Sequence, residues 1–308
     1  MRAAFLSSFP FAPWQEALRV HMPELDLRCW PDIGDPASVQ VALVWKPPKG
    51  ALAQLTGLKL VHALGAGIDA VVADPELPPG VKVVRLVDPW MTAAMGEYVE
   101  FQVLRLHRQD FAYRAQQQAR KWRELDQPNA AQRRVGILGL GVLGSEAALR
   151  LEVLGFDVAG WSRRGLRFKG IACFSGADGL AQLAARSEIL ICMLPLTKET
   201  ENILDARLFA LLPKGAAVIN CARGGHLVEA DLLAALDSGH LSAAVLDVFR
   251  TEPLPQDHPF WQHPRIVVTP HAAAATNPTT AAPIVAAALK LFAAGQSIAN
   301  LVERDQGY

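Results

Sequence analysis

The chain has 308 residues, is 51% hydrophobic and 19% charged, and its acidic and basic residues cancel to a formal charge of zero. That length exceeds one small core and fits two domains, and the composition is that of a globular protein. No basic stripe argues for nucleic acid, no polybasic run for a membrane surface, and no uncharged apolar run is long enough to span a bilayer. The cysteines Cys29, Cys173, Cys192 and Cys221 have neither C-x-x-C nor metal-ligand spacing, so they read as reduced thiols with no bound metal. Prolines interrupt the opening residues before an apolar signal core forms, so a cytoplasmic protein is expected.

Short apolar runs alternate with helical patterns, which predicts an α/β protein with parallel sheets. In the first hundred residues, strands are predicted at 3–6, 41–45, 60–63 and 81–85, separated by loops rich in Pro and Gly. One long helical stretch follows from about residue 93 to 122, with Tyr98, Phe101, Leu104 and Phe111 near helical spacing. Strands are then predicted at 134–138, 157–161, 189–193, 217–220, 243–247 and 266–269, the count of a complete dinucleotide-binding sheet. An alanine-rich helix over 277–294 is expected to cross back to the first domain. The expected division is 1–97 with 277–308 for one domain and 98–276 for the other, inserted one.

The most specific signal is the strand that runs into Gly139-Leu140-Gly141-Val142-Leu143-Gly144. In G-x-G-x-x-G, Gly139 permits a tight turn, Gly141 lets backbone approach a pyrophosphate, and Gly144 lets the next helix pack on the strand. The alternative is an ordinary βα turn. About 20 residues further on, a carboxylate would normally hold the ribose 2′-hydroxyl of NAD. This chain instead has Trp161-Ser162-Arg163-Arg164. Ser plus two Arg suits a 2′-phosphate through charge-assisted hydrogen bonds, so NADPH is expected over NADH. The bland reading is two solvated arginines. Leu194-Pro195, after the third strand of this block, could border the ribose and pyrophosphate, or be a plain strand-ending turn.

Three polar residues follow predicted strands: Arg223 in Cys221-Ala222-Arg223-Gly224, Glu252 in Asp247-Val248-Phe249-Arg250-Thr251-Glu252-Pro253-Leu254, and His271 in Thr269-Pro270-His271. Each lies just past a strand's carboxyl end, where open α/β sheets bind ligands. Taken singly, they read as a solvated Arg, a turn-capping Glu and a structural His. A cysteine nucleophile at Cys221 is disfavoured, since no His lies near it in the chain and its strand position suits packing.

Together with the glycine loop and Leu64-Gly65-Ala66-Gly67-Ile68-Asp69, these motifs resemble the D-2-hydroxyacid dehydrogenase family over nearly the whole chain. Val44-Trp45-Lys46-Pro47-Pro48, Phe260-Trp261-Gln262-His263-Pro264 and the ending Gly307-Tyr308 look most like its bacterial A-type glyoxylate/hydroxypyruvate reductases. The resemblance implies two Rossmann-like domains: a flavodoxin-like substrate domain and an inserted dinucleotide-binding domain. It implies that Arg223 clamps the α-keto acid and that His271 donates the proton as hydride arrives. Glu252 then holds the imidazole and favours its charged form. It also assigns the Ala66 and Gly67 amides to the substrate carboxylate, Asp247 to the nicotinamide carboxamide, Cys221 to the cofactor side and Trp45 to a pocket wall. On the residues alone, a simple βα turn stays open as the alternative at Ala66-Gly67, and Trp45 reads as a core residue. A homodimer formed through residues 93–129 is implied as well. Two other functions stay open: a dinucleotide-sensing binding protein of the same fold, and a reductase of bulkier keto acids.

Overall fold

The computed structural model describes residues 1–163, 165 and 170–303. The chain divides into two compact units, Met1–Met91 with Thr276–Tyr308, and Thr92–Ala275.

The first unit contains β1 (Arg2–Ser7), α1 (Phe11–His21), β2 (Asp26–Cys29), β3 (Val41–Trp45), β4 (Leu60–Ala63), α2 (Asp69–Val72) and β5 (Lys82–Val84). Its five strands are parallel, in the order β2-β1-β3-β4-β5. That is the flavodoxin-like order. β1, β3 and β4 are buried on both faces, which is why they read as unbroken apolar runs. β2 was not expected from the sequence. It is an edge strand whose Arg2–Asp26 and Arg28–Asp26 ion pairs replace the apolar pattern.

Where one helix is expected over 93–122, the chain forms α3 (Pro89–His107) and α4 (Asp110–Gln118). The break is Gln109, in the left-handed region at φ 59°. Asp110 starts α4 beside the positive helix end and accepts hydrogen bonds from Arg105 and Arg114, each at 2.8 Å.

The second unit continues with β6 (Arg134–Leu138), α5 (Val142–Val153), β7 (Asp157–Trp161), β8 (Ala172–Phe174), α6 (Gly176–Arg186), β9 (Ile189–Cys192), α7 (Ala206–Leu211), β10 (Ala216–Asn220), α8 (Glu229–Asp237), β11 (Leu241–Leu246) and β12 (Ile266–Val268). Among the described residues its parallel sheet has seven strands, one more than expected, in the order β12-β11-β10-β9-β6-β7-β8. The extra strand is β8, three residues at the sheet edge and too short to show a period. The order reverses between β6 and β9, the switch point at which such sheets bind ligands. Side chains of β6 and β9 pack on Ala147, Ala148 and Leu151 of α5.

α9 (Pro278–Ala293) belongs to the first unit and packs beside α1. Asn277 caps it through the Thr279 N–H, Pro278 occupies its first turn, and Ala281, Val285 and Leu289 form its buried stripe. Among the described residues, no helix is long and apolar enough to cross a membrane.

Candidate active site

All seven strands of the second unit run parallel, so their carboxyl ends share one edge. The glycine loop follows β6, Ser162 and Arg163 follow β7, Leu194-Pro195 follows β9, Cys221–Arg223 follow β10, Asp247 and Glu252 follow β11, and His271 follows β12. Residues scattered over 130 positions are thereby gathered at one edge of a sheet, roughly as the strand-end pattern implies.

The glycine loop has the geometry a dinucleotide needs. Gly139 sits at φ +98°, and a Cβ there would lie 2.7 Å from the Met193 carbonyl oxygen. A Cβ on Gly144 would lie 1.9 Å from the Gly139 carbonyl oxygen, so α5 seats directly on the turn. A Cβ on Gly141 meets nothing within 4 Å. Gly141 caps the start of α5 without a side-chain hydrogen bond. The helix's first amides and positive dipole end suit a pyrophosphate. Within this loop, Leu140 is buried, Val142 is exposed and Leu143 is half-buried at the helix start.

Ser162 is buried, and its amide donates to the Phe174 carbonyl of β8 at 3.1 Å. Arg163 is exposed and close enough to Glu199 to help lower that carboxyl, behind the larger effect of the Thr197 hydroxyl. Arg164 lies outside the described residues. Leu194 is part of the core, while the Pro195 carbonyl accepts from the Thr200 hydroxyl at 2.7 Å. Cys221 is buried, and burial pushes its thiol far up, so it is a neutral packing group.

At the β11 and β12 ends, Glu252 and His271 meet. Glu252 Oε2 lies 2.9 Å from His271 Nδ1, and Oε1 accepts the Phe249 N–H at 3.1 Å. Both side chains are partly exposed, at 20% and 30%. With Nδ1–H donated to the carboxylate, Nε2 is the imidazole's reactive nitrogen. His271 has φ 54°, a conformation that costs a non-glycine residue about 1–3 kcal/mol and persists only when its surroundings impose it. Those surroundings are explicit. The His271 amide donates to the Asp247 carbonyl at 2.8 Å. The Asp247 carboxylate is 1% exposed; its Oδ1 accepts from the Thr269 hydroxyl at 2.6 Å and the Ala272 N–H at 2.9 Å. Its Oδ2 accepts from the Ala273 N–H at 3.0 Å. In this structure Asp247 therefore holds the His271 loop. The Tyr98 hydroxyl adds a 2.8 Å bond to Thr269, and burial keeps that phenol protonated.

Arg223 is half-buried, with Nη1 donating to the Ala222 carbonyl at 2.6 Å. Its loop is fastened by Asn220, whose side chain donates to the Arg223 carbonyl and accepts the Ala222 N–H. Asn220 and Thr269 are supporting residues beyond the predicted site residues, and their sequence signal is a polar residue at or just past a strand end; Tyr98, expected as a packing residue of its helix, joins them through Thr269.

In the first unit, Trp45 ends β3 and Ala66-Gly67 follow β4. The Trp45 ring stacks flat on Phe9, with 5.6 Å between centroids and 2° between planes. A Cβ on Gly65 would lie 2.3 Å from that indole. Trp45 is thus pinned between a ring and a backbone turn, and remains only half-buried.

The model of the D-isomer specific 2-hydroxyacid dehydrogenase NAD-binding domain matches residues 101–273. Glyoxylate/hydroxypyruvate reductase A of Serratia proteamaculans (strain 568) is 45% identical over 300 residues, covering 96% of each chain. A D-isomer specific 2-hydroxyacid dehydrogenase from Xanthobacter autotrophicus Py2, solved in complex with NADPH and MES, is 44% identical. It superposes with a TM-score of 0.94 over 100% of this chain and 99% of that one. An NADPH-dependent glyoxylate/hydroxypyruvate reductase from Sinorhizobium meliloti, solved with NADP and sulfate, is 37% identical, with a TM-score of 0.94 over 100% and 99% of the two chains.

Proposed function

The chain belongs to the D-isomer specific 2-hydroxyacid dehydrogenase family of NAD(P)-dependent oxidoreductases, and from that premise we propose that it reduces small 2-keto acids with NADPH, glyoxylate and hydroxypyruvate foremost. The observation that carries this reading is the 2.9 Å contact between Glu252 and His271 at the carboxyl edge of the sheet. A protein that only senses dinucleotides has no use for an oriented proton donor.

Arg223 receives the keto acid: its planar guanidinium pairs with the carboxylate and polarises the ketone oxygen. When bound, the reduced dinucleotide supplies the hydride. His271 gives its Nε2 proton to the ketone oxygen, and Glu252 holds the ring through Nδ1 and balances the imidazolium charge before transfer. Reduction uses protonated His271, and oxidation of the hydroxy acid uses the neutral ring. Gly139–Gly144 and the start of α5 would hold the pyrophosphate. Ser162, Arg163 and Arg164 would hold the 2′-phosphate, and Leu194-Pro195 would border the dinucleotide. Asp247, besides fixing the catalytic loop, would meet the nicotinamide carboxamide, and Cys221 would lie on the cofactor side. Ala66 and Gly67 offer backbone N–H groups for a substrate carboxylate, and Trp45 presents an aromatic wall. We take the functional domains as residues 1–97 with 277–308, and 98–276, which departs by a few residues from the structural division after Met91 and Ala275.

Two copies of the chain associate through residues 93–129. Phe101 (60% exposed) and Trp122 (fully exposed) on this segment support that assembly, and light scattering of the purified protein tests it. Four free cysteines are consistent with a reducing, cytoplasmic location.

The test is absorbance of the reduced nicotinamide with glyoxylate and with hydroxypyruvate, using NADPH and NADH in parallel. Consumption with NADPH, and much less with NADH, is expected. Equal rates would overturn the 2′-phosphate assignment; bound NADPH with no consumption on either acid would overturn the substrate assignment.

A further inference from the structure

His226 lies three residues beyond Arg223 and is 0% exposed, yet the chemistry above does not use it. It closes the short turn Gly224–His226 that follows β10, and its two ring nitrogens reach two different strand-end loops. Nδ1 lies 3.2 Å from the Arg223 amide nitrogen and 3.0 Å from the Arg223 carbonyl oxygen. Nε2 lies 3.3 Å from the Pro195 carbonyl oxygen, beyond β9.

The connection holds in either protonation state. In the neutral ring with its proton on Nε2, Nδ1 accepts the Arg223 N–H while Nε2–H donates to Pro195. In the charged ring, Nδ1–H donates to the Arg223 carbonyl and the Pro195 bond is unchanged. Burial alone would lower the pKa of this imidazole. The neighbouring Cys192 sulfur and the two carbonyls outweigh burial and raise it. The loops are also in close apposition, since a Cβ on Gly225 would lie 2.9 Å from the Leu196 side chain.

We infer that His226 is a positioning residue, which ties the Arg223 backbone to the Leu194-Pro195 loop and so fixes the keto-acid clamp relative to the dinucleotide. The inference rests on Arg223 being that clamp. A leucine would fill the same volume but leave a buried N–H and a buried carbonyl with one partner fewer, and the Arg223 loop would drift. A displacement of about 1 Å at a catalytic group can cost on the order of 100-fold.

A double-mutant cycle tests this. His226→Leu, Arg223→Lys and the pair are compared with the unmodified enzyme in kcat/KM for hydroxypyruvate at saturating NADPH, alongside NADPH affinity and melting temperature. His226→Leu is expected to lower kcat/KM about 10- to 100-fold. In the Arg223→Lys background, where the clamp is already impaired, the same change is expected to cost only about threefold or less. His226→Gln, which keeps a donor toward Pro195, is expected to recover part of the loss, and it takes the place of His226→Leu in the cycle if that variant does not fold. Equal losses in both backgrounds would overturn the inference in favour of a merely structural histidine, and no loss would overturn it outright. Absence of keto-acid reduction by the unmodified enzyme is a different failure: it removes the clamp reading, and this inference with it.

Discussion

Replacing Asp247 with Asn keeps the side chain's shape but removes its charge and one acceptor. The residue is 1% exposed, with Oδ1 accepting from the Thr269 hydroxyl and the Ala272 N–H, and Oδ2 from the Ala273 N–H. An amide has a single oxygen, so one orientation turns its NH2 against Ala273, and the other turns it against both Thr269 and Ala272. The milder orientation leaves one buried donor unsatisfied, at about 1–3 kcal/mol. The two surviving bonds lose their charge assistance, about 0.5–1.5 kcal/mol each. The total is about 2–6 kcal/mol, a large part of the ~5–15 kcal/mol that holds a domain folded. At ~2–4 °C per kcal/mol, melting falls by roughly 5–20 °C. Turnover falls too, because the His271 amide hangs on the Asp247 carbonyl and the ring adjoins Glu252 from a left-handed backbone. Calorimetry and NADPH oxidation on the same preparation check both effects. Unchanged melting together with unchanged turnover would refute the assignment of Asp247 as the anchor of the catalytic loop.

Other outcomes follow from single contacts. Gly144→Ala puts a Cβ 1.9 Å from a backbone oxygen that no rotamer change can relieve, so it is expected to destabilise the second unit by about 1–3 kcal/mol or more and weaken NADPH binding; unaltered fluorescence titration would contradict this. Ser162→Asp sets a carboxylate against the 2′-phosphate and is expected to raise the KM for NADPH about tenfold or more while sparing NADH, measured by initial rates. His62, buried in β4, has its imidazole pushed down by burial to about 4. Its folded pKa lies below the unfolded one, so its neutral form supports stability above about pH 6.5, and that support is lost as pH falls toward 4. The loss amounts to about 3 kcal/mol, and His62→Gln is expected to flatten that part of the stability–pH curve in denaturant titrations.

The second unit's architecture could be read ahead because its central strands are buried on both faces and run as unbroken apolar segments. β6 and β7 lie where the pattern puts them, and the turn between β6 and α5 follows from steric needs at Gly139 and Gly144 that only glycine satisfies. The edge strands β2 and β8 escaped because ion pairs or brevity erase the period. The split between α3 and α4 left a cue in Arg105 and Asp110, a cation near the end of one helix and an acid opening the next, which the hydrophobic period masks. Arg223, Glu252 and His271 stood out as polar residues after strands. The groups that hold them did not, because Asn220 and His226 act through bonds to the Arg223 backbone and Thr269 through the distant Asp247 carboxylate, and a sequence shows the residue without the partner it reaches.

Oxidation of NADPH by hydroxypyruvate in the unmodified enzyme and in His271→Ala, with NADPH affinity measured on both, tests the central claim most directly. The account predicts that turnover collapses while NADPH binds almost as before, since the imidazole supplies the proton and the glycine loop supplies the binding. Turnover that survives the substitution would contradict it.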